Sequence, residues 1–506
     1  MHDGLERARH HFQESLIALN KEDYVHAENE LRKAHALAPK RPSILGNLSG
    51  VLVFQKKIDE AMSLCNQLLE IEPNNIEGLI NLGLCHLHLN KHEAAIKYFT
   101  RATEIDLNSA SAWANKGCVL LELQRLDEAL ISLDAALKLN PNSIEALIGL
   151  GNLYTELRDY ELGLEYFSKA LKLNPSNAKA QWNKALALLR LGQYEEGWKL
   201  YESRWQIDGL KENARLINVP LWLGVDDLTK KTIFIHAEQG YGDTIQFSRY
   251  LPLLEAQGAN VVLEVPRCLV GLMKTLSPTI EVYATGEFGM GGAVKIDFYC
   301  PIMSLPLAFG TTLASIPNKT PYLFPEQQKL LAWEKILQQS SLENEPTKQP
   351  IRIGVVWSGS GHYAGKENYR RDIPFSKIQE LINNFSNQNI EFHCLQNYVR
   401  PEEWQLVKAQ NKLFTHTENL GDFSDTAALI KNMDLVLSVD TAVAHLSGAL
   451  NTKTLVTIPK RPDFMSLIDT TISPWYSNHL LIRCKNSNWD SDAIDQIVII
   501  LEKYLN

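Results

Sequence analysis

Three short stretches of this chain combine residues that can move a proton with residues that can hold an anion. One is DLVLSVDTAVAHLSG, residues 434–448. Its apolar start gives way, at Ser438 and Asp440, to the small residues Thr441, Ala442, Ala444, Ser447 and Gly448. A buried strand that feeds a helix through a tight turn reads this way. Asp440 is placed to cap that helix, with Thr441 just inside. Free N–H groups at a helix start attract phosphate, and the dipole adds about 0.3–1 kcal/mol. A small residue such as Ala442 lets a ligand approach the backbone. His445 follows Thr441 by one helical turn, so both can face one ligand. An ordinary strand–turn–helix of any α/β domain would use the same residues.

A second stretch is GYGD, residues 240–243. Gly240 and Gly242 permit a tight turn and the close approach of a ligand. Asp243 then stands at the start of a helix, where it can cap, act as a base, or do both. His236 and Glu238 lie at the same end of the preceding strand and are further candidates on that side. The third stretch is WSGSGHYAGKENYRR, residues 357–371. It opens with Ser358 and glycines, then turns basic with His362, Lys366, Arg370 and Arg371. Glycine plus cations suits a loop that closes on phosphates, and it equally suits a solvated loop. Gln396, at the end of EFHCLQ, is placed to reach the same ligand.

Other chemistries lack their marks. No GxGxxG follows a strand and no GxxxxGK[ST] is present. The DxD-like triplet at 490–492 fits helix capping better than a metal. No His, Cys and carboxylate cluster has metal-ligand spacing. The expectation is therefore no metal and no cofactor beyond a co-substrate.

The elements that must carry these turns begin at Lys231. KTIFIHAEQ, NVVLEVP, IEVYA and IDFYC read as strands, with helical stretches between them. After a polar helical segment over 326–348 the alternation restarts with IRIGVVWSG, EFHCLQ, a weaker LFTH, DLVLSVD, TLVTIP and LLIRC. Strand–helix alternation implies mostly parallel sheets. Ligands of such sheets bind beyond the carboxyl ends of the strands, where all three turns fall.

The first 200 residues follow a different rule. A small residue recurs every 34 positions: Ala27, Ala61, Ala95, Ala129, Gly163 and Gly197. Pro39, Pro73, Pro141 and Pro175 keep the same period. Each unit reads as two short amphipathic helices crossing at the small residues, with the proline ending the second. This resembles the tetratricopeptide repeat, with five good units from 8 to 177 and a sixth, 178–211, that departs after Gly197. Such arrays have a concave face that binds protein or peptide, or they serve as rigid spacers or dimerisation arms. Asn47, Asn81, Asn115 and Asn183 recur where they could bond an extended peptide. In the junction, Trp198, Tyr201, Trp205 and Trp222 should glue the last repeat to the next domain. Stacking on a sugar or base is the sharper alternative.

Charge and cysteine usage set limits. Lys and Arg number 50 against 59 Asp and Glu, a net charge of −9. That opposes nonspecific binding to nucleic acid or to anionic membranes. The seven cysteines form no CxxC, which points to a reduced, cytoplasmic setting. The charged start of the sequence shows no signal peptide, and no apolar run is long enough to span a membrane.

Taken together, HAEQGYGDTIQFSRYLPLL, DFYCPIMSLPLAFGT, GVVWSGS followed by RRDIPF, and DLVLSVDTAVAHLSGAL resemble a known family. It is that of bacterial tetratricopeptide proteins with a glycosyltransferase domain related to the ADP-heptose heptosyltransferases, and the likeness covers nearly the whole chain. The fold it implies is a tetratricopeptide α-solenoid, 1–211, followed by a GT-B unit of two Rossmann-like halves, 212–348 and 349–506. The first half would hold the acceptor and the second the donor. The resemblance implies Asp243 as the catalytic base, Asp440, Thr441 and His445 at the donor, and Lys366 or Arg371 at its diphosphate. Ala442-Val443 stands where the family tends to have Gly-Leu, which leaves the donor sugar open. Protein O-GlcNAc transferases share the repeat-plus-GT-B plan but not these motifs. The implied activity is transfer of a sugar from a nucleotide-diphosphate sugar to a hydroxyl, on a protein presented by the repeats. The rivals are a non-catalytic scaffold and a surface-polysaccharide glycosyltransferase.

Overall fold

The computed structural model describes residues 2–505 apart from 216, 289–294, 341–348, 360–370, 461 and 485–490. The chain forms two compact units, Met1–Lys184 and Ala185–Asn506. The division falls inside the helix Ala178–Arg190, earlier than the boundary at 211 read from the sequence. The second helix of the sixth repeat, Tyr194–Tyr201, thus belongs to the α/β unit.

In the first unit the 34-residue period is a period of helix pairs. First helices start at Pro42, Ile76, Ala110 and Ile144, and second helices at Tyr24, Ile58, His92, Leu126 and Tyr160. The small residues lie where the pair crosses. Ala27, Ala61, Ala95 and Ala129 are fully buried. A Cβ on Gly83 would stand 2.6 Å from the Phe99 ring, and one on Gly117 2.6 Å from Leu133. Each turn between the two helices passes through one left-handed residue. These are Glu22, Lys56, Asn90, Gln124 and Arg158, all with φ of 57–67°. A left-handed residue reverses the chain within the shortest connection.

The asparagines do other work than the sequence suggested. Asn47 and Asn115 donate their amides to Ser43 O and Ser111 O of their own helices, at 2.9 and 3.0 Å. Asn81, buried, donates to Gly46 O and Ser49 Oγ of the preceding repeat, at 3.1 and 3.0 Å. Asn81 thus stitches two repeats, while Asn47 and Asn115 bond back to their own helices.

The second unit holds two all-parallel sheets. The N-terminal half has β1 (Thr232–His236), β2 (Asn260–Val265), β3 (Glu281–Ala284) and β4 (Phe298–Pro301), in the order β3-β2-β1-β4. The C-terminal half has β5 (Ile351–Val356), β6 (Ile390–Cys394), β7 (Leu413–Thr415), β8 (Leu435–Val439), β9 (Thr454–Ile458) and β10 (His479–Arg483). Its order is β10-β9-β8-β5-β6-β7. Strands β6 and β8 are buried at every residue, as strands covered by helices on both faces must be. The order reverses direction at β5 and β8 in this half, and at β1 and β4 in the other. Ligand crevices open at such switch points. The turns after β1, β5 and β8 are the three read from the sequence.

Aromatic packing ties the two halves together. On the helix Tyr194–Tyr201, the Trp198 ring lies 5.9 Å from Phe247 of the N-terminal half and 6.0 Å from Phe464 of the C-terminal half. Tyr194 lies 5.9 Å from Trp475. Trp198, Tyr201 and Trp222 are at most 2% exposed, so they are core and offer no face to a sugar. Arg249, also buried, donates to the Trp475 carbonyl at 2.7 Å and lies 4.4 Å over the Tyr476 ring.

Candidate functional site

The turn after β1 leads into the helix Tyr241–Phe247, whose cap is Gly240. Asp243 sits at the third helical position and accepts the Gly240 N–H on Oδ2 at 2.9 Å. Among the described residues, none donates a hydrogen bond to its other oxygen. Burial, then the charges of Asp463, Glu238 and Asp440, push its carboxyl up to about 7, against the pull of the Gly240 N–H. An aspartate with that value is half-protonated near neutral pH, which suits a general base.

The turn after β8 differs in detail from its sequence reading. Thr441, not Asp440, is the cap, in extended backbone, and Ala442 opens the helix Ala442–Ala449. The chain stays extended one residue longer because the Thr441 hydroxyl lies 3.3 Å from Ser438 Oγ on the strand end. No side chain caps this helix, so its first N–H groups have no partner from the cap residue. Asp440 is nearly buried, and burial raises its carboxyl against the pull of Arg371. His445 Nε2 lies 3.9 Å from Asp440 Oδ1. Burial, with Arg249 and Arg371, lowers the His445 imidazole to about 4, so it is neutral at physiological pH.

These two turns come from different sheets, and they touch. A Cβ on Gly242 would stand 2.8 Å from His445 Cδ2 and 3.4 Å from Ala442 Cα. Glycine is required here for close approach, not for a special φ. Gly242→Ala is expected to force the turns apart and to destabilise the unit by about 1–3 kcal/mol, as overpacking does. Thermal unfolding checks it.

The basic loop reaches this place from β5. Arg371 Nη1 donates to the Asp440 carbonyl at 3.0 Å, which sets a permanent cation beside the helix start. Gly359 lies against Thr441 and donates its N–H to Asp372 at 3.0 Å. Lys366, with His362 and Arg370, lies outside the described residues. Ser358 is 8% exposed and is held by Gln396. Gln396 Oε1 accepts the N–H groups of Trp357 and Ser358 at 2.8 and 3.1 Å, and its amide donates to Ser358 Oγ at 3.1 Å. Gln396 therefore shapes the loop from behind, because all its bonding capacity is engaged with protein.

Two acceptor-side candidates have their polar groups engaged or sealed within the protein. Glu238 accepts Arg204 Nε at 2.8 Å, Arg204 Nη2 at 3.0 Å and the Met303 N–H at 3.0 Å. It belongs to a buried ion pair that anchors the segment after Tyr201, because both its oxygens are already taken. His236 is 1% exposed, faces Phe234 and Tyr299, and is held neutral by burial. Glu238 lies close enough for its charge to help raise Asp243, but its oxygens are engaged by Arg204 and Met303.

Sequence reasoning missed Asp463. It follows β9, caps the short helix Phe464–Ser466 and exerts the strongest of the neighbouring charges on Asp243. The signal was available: it too lies beyond the carboxyl end of a parallel strand. Asp243, Asp440 and Asp463 therefore form one acidic cluster, faced by Arg371 and by an uncapped helix start.

Comparison with known proteins matches the two parts separately. The glycosyltransferase family 9 (heptosyltransferase) model covers residues 347–470. Tetratricopeptide repeat models cover 18–77 and 144–177, and the model of anaphase-promoting complex, cyclosome, subunit 3 covers 55–136. Protein FlbA of Caulobacter vibrioides is 27% identical over 328 residues, which is 60% of this chain and 50% of that protein. Human DnaJ homolog subfamily C member 7 is 33% identical over 82 residues, 16% of this chain and 17% of that protein. The chain thus spans half or less of the length of these relatives. Among solved structures, the tetratricopeptide protein TTC0263 of Thermus thermophilus aligns with a TM-score of 0.34 and 21% identity, over 36% of this chain and 99% of its own. The chain joins tetratricopeptide repeats to a C-terminal glycosyltransferase family 9 (heptosyltransferase) domain.

Proposed function

We propose that this protein transfers a sugar from a nucleotide-diphosphate sugar to an acceptor hydroxyl, with Asp243 as the base. The observation that carries the reading is the contact of Gly242 with His445 and Ala442. It brings Asp243, whose carboxyl is raised to about 7, to the side of an uncapped helix start flanked by Arg371. Asp243 takes the hydroxyl proton as the acceptor oxygen attacks the anomeric carbon. The bond to the diphosphate breaks, and the helix N–H groups and Arg371 meet the charge that develops on the leaving oxygen. The reading calls on no metal ion, since these groups supply the positive charge. The repeats present the acceptor, a protein.

A panel of nucleotide-diphosphate sugars tests the donor. At least one should raise the melting temperature of the full chain, with or without EDTA, and the Arg371→Ala variant should lose most of that rise. If no donor shifts the melting point, the α/β unit is a scaffold. The intact mass of candidate protein acceptors, read after incubation with the stabilising donor, tests the acceptor. A glycan that gains the sugar while no protein does would mark a polysaccharide enzyme instead.

A further inference from the structure

Tyr201 ends the helix Tyr194–Tyr201, the second helix of the sixth repeat. The same place recurs every 34 residues as Leu31, Cys65, Phe99, Leu133 and Phe167. All five are fully buried, and none carries a hydroxyl. Phe99 and Phe167 show that a bare ring satisfies the packing of a repeat. The Tyr201 ring is buried like theirs, so its hydroxyl is an addition that the repeat itself does not need.

That hydroxyl serves the turn after β1. Gln239 Nε2 donates to it at 3.0 Å. Gln239 shares a planar peptide with Gly240, and the N–H of that peptide is the one Asp243 accepts at 2.9 Å. With the Gln239 side chain pinned, the Gly240 N–H has less room to swing away from the carboxylate. The Tyr201 ring meanwhile lies 5.5 Å from the ring of Phe464, whose N–H donates to Asp463 Oδ1 at 2.6 Å. Each of these two aspartates is thus held by a backbone N–H, and Tyr201 touches a residue of both peptides. Asp463 is the strongest charge acting on Asp243, so the two turns repel and need a common support. We propose that Tyr201 is a positioning residue for the base: its hydroxyl, through Gln239, holds the Gly240 N–H on Asp243. The coupling follows from the contacts; only the use made of Asp243 rests on the transfer reading. The sixth repeat thereby completes the catalytic turn.

Carboxyl-carbon NMR on the aspartate-labelled full chain, without substrate, reads the titration of Asp243, with Asp243→Asn identifying its signal. The wild-type midpoint, at about 7, is raised by burial and by Asp463, Glu238 and Asp440 and is pulled down by the Gly240 N–H. Neither neighbour titrates there: burial keeps the Tyr201 hydroxyl protonated and the His445 imidazole neutral. Tyr201→Phe keeps the ring on Phe464 but releases Gln239 and weakens that pull. The midpoint should rise by about half a pH unit, part of the worth of one hydrogen bond. Gln239→Leu cuts the same link from its other end, so adding Tyr201→Phe to it should give no further rise. With a donor that supports transfer, kcat of Tyr201→Phe should fall about fivefold at an unchanged donor KM. A midpoint in Tyr201→Phe equal to that of the wild type, a further rise in the double variant, or an unchanged kcat would overturn the proposal. If Tyr201→Phe does not fold, a Gln239→Leu midpoint equal to that of the wild type overturns it alone. A chain that shows the coupled titration yet transfers no sugar would sink the transfer reading and leave the link between Tyr201 and Asp243 standing.

Discussion

Replacing Asp243 with Asn is expected to lower sugar transfer by about 10²–10⁴-fold while leaving the donor affinity unchanged. Asn keeps the shape and can still accept the Gly240 N–H, so the turn survives. What is lost is the base. The same carboxyl, raised to about 7, should shape the pH profile. In the wild type kcat/KM should fall about tenfold per pH unit below that value, because the base is then protonated. Stability should run the other way. Between the usual aspartate value and about 7 the folded state binds a proton that the unfolded chain releases. Wild-type stability therefore decreases as pH rises through that window. Asn cannot lose a proton, so the variant should be the more stable protein above neutrality, by roughly 1–3 kcal/mol. A variant that keeps wild-type turnover, or is less stable at alkaline pH, would remove Asp243 from the mechanism.

The second large effect concerns folding. Arg204→Met should destabilise the α/β unit by about 3–5 kcal/mol, measured by urea unfolding. Arg204 is fully buried, donates to Glu238 through two nitrogens, and bonds Glu202 and Ser304 as well. Removing it leaves the buried Glu238 carboxylate without its cation, with the Met303 N–H still bonded to it. Burial alone pushes that carboxyl up and Arg204 pulls it back, so in the variant it should take up a proton. The loss should then shrink as pH falls, and Glu238→Gln added to Arg204→Met should recover part of it. A loss below about 1 kcal/mol, the value of a solvated surface pair, would show that the pair is not sealed from water.

Much of this architecture was legible because it is periodic. The 34-residue spacing of Ala27, Ala61 and Ala95 specifies helix pairs, since only a small residue lets two helices cross so closely. The apolar runs at 351–356 and 435–439 could only be strands buried on both faces. The turns after β1, β5 and β8 followed from the rule that ligands collect at strand ends. The misreadings share a cause. Glu238, Gln396 and Asn81 look available in a sequence, yet each has its hydrogen-bonding groups engaged by residues far along the chain. Arg204 engages Glu238 from 34 positions away, and Trp357 engages Gln396 from 39. Such pairing is a property of tertiary packing, and residue type alone does not reveal it. Asp463 was overlooked for the converse reason. Its neighbours in sequence are unremarkable, and only the fold sets it beside Asp243.

The helix Tyr194–Tyr201 has a mechanical consequence. It lies across the seam like a splint, with Trp198 wedged between Phe247 on one side and Phe464 on the other. Enzymes made of two lobes often admit substrate by swinging the lobes apart. Here such a swing would have to shear a sealed aromatic joint and pull Arg249 from the Trp475 carbonyl. If the proposed transfer holds, substrate entry by local movement at the rim would spare that joint, whereas a swing of the lobes would have to break it.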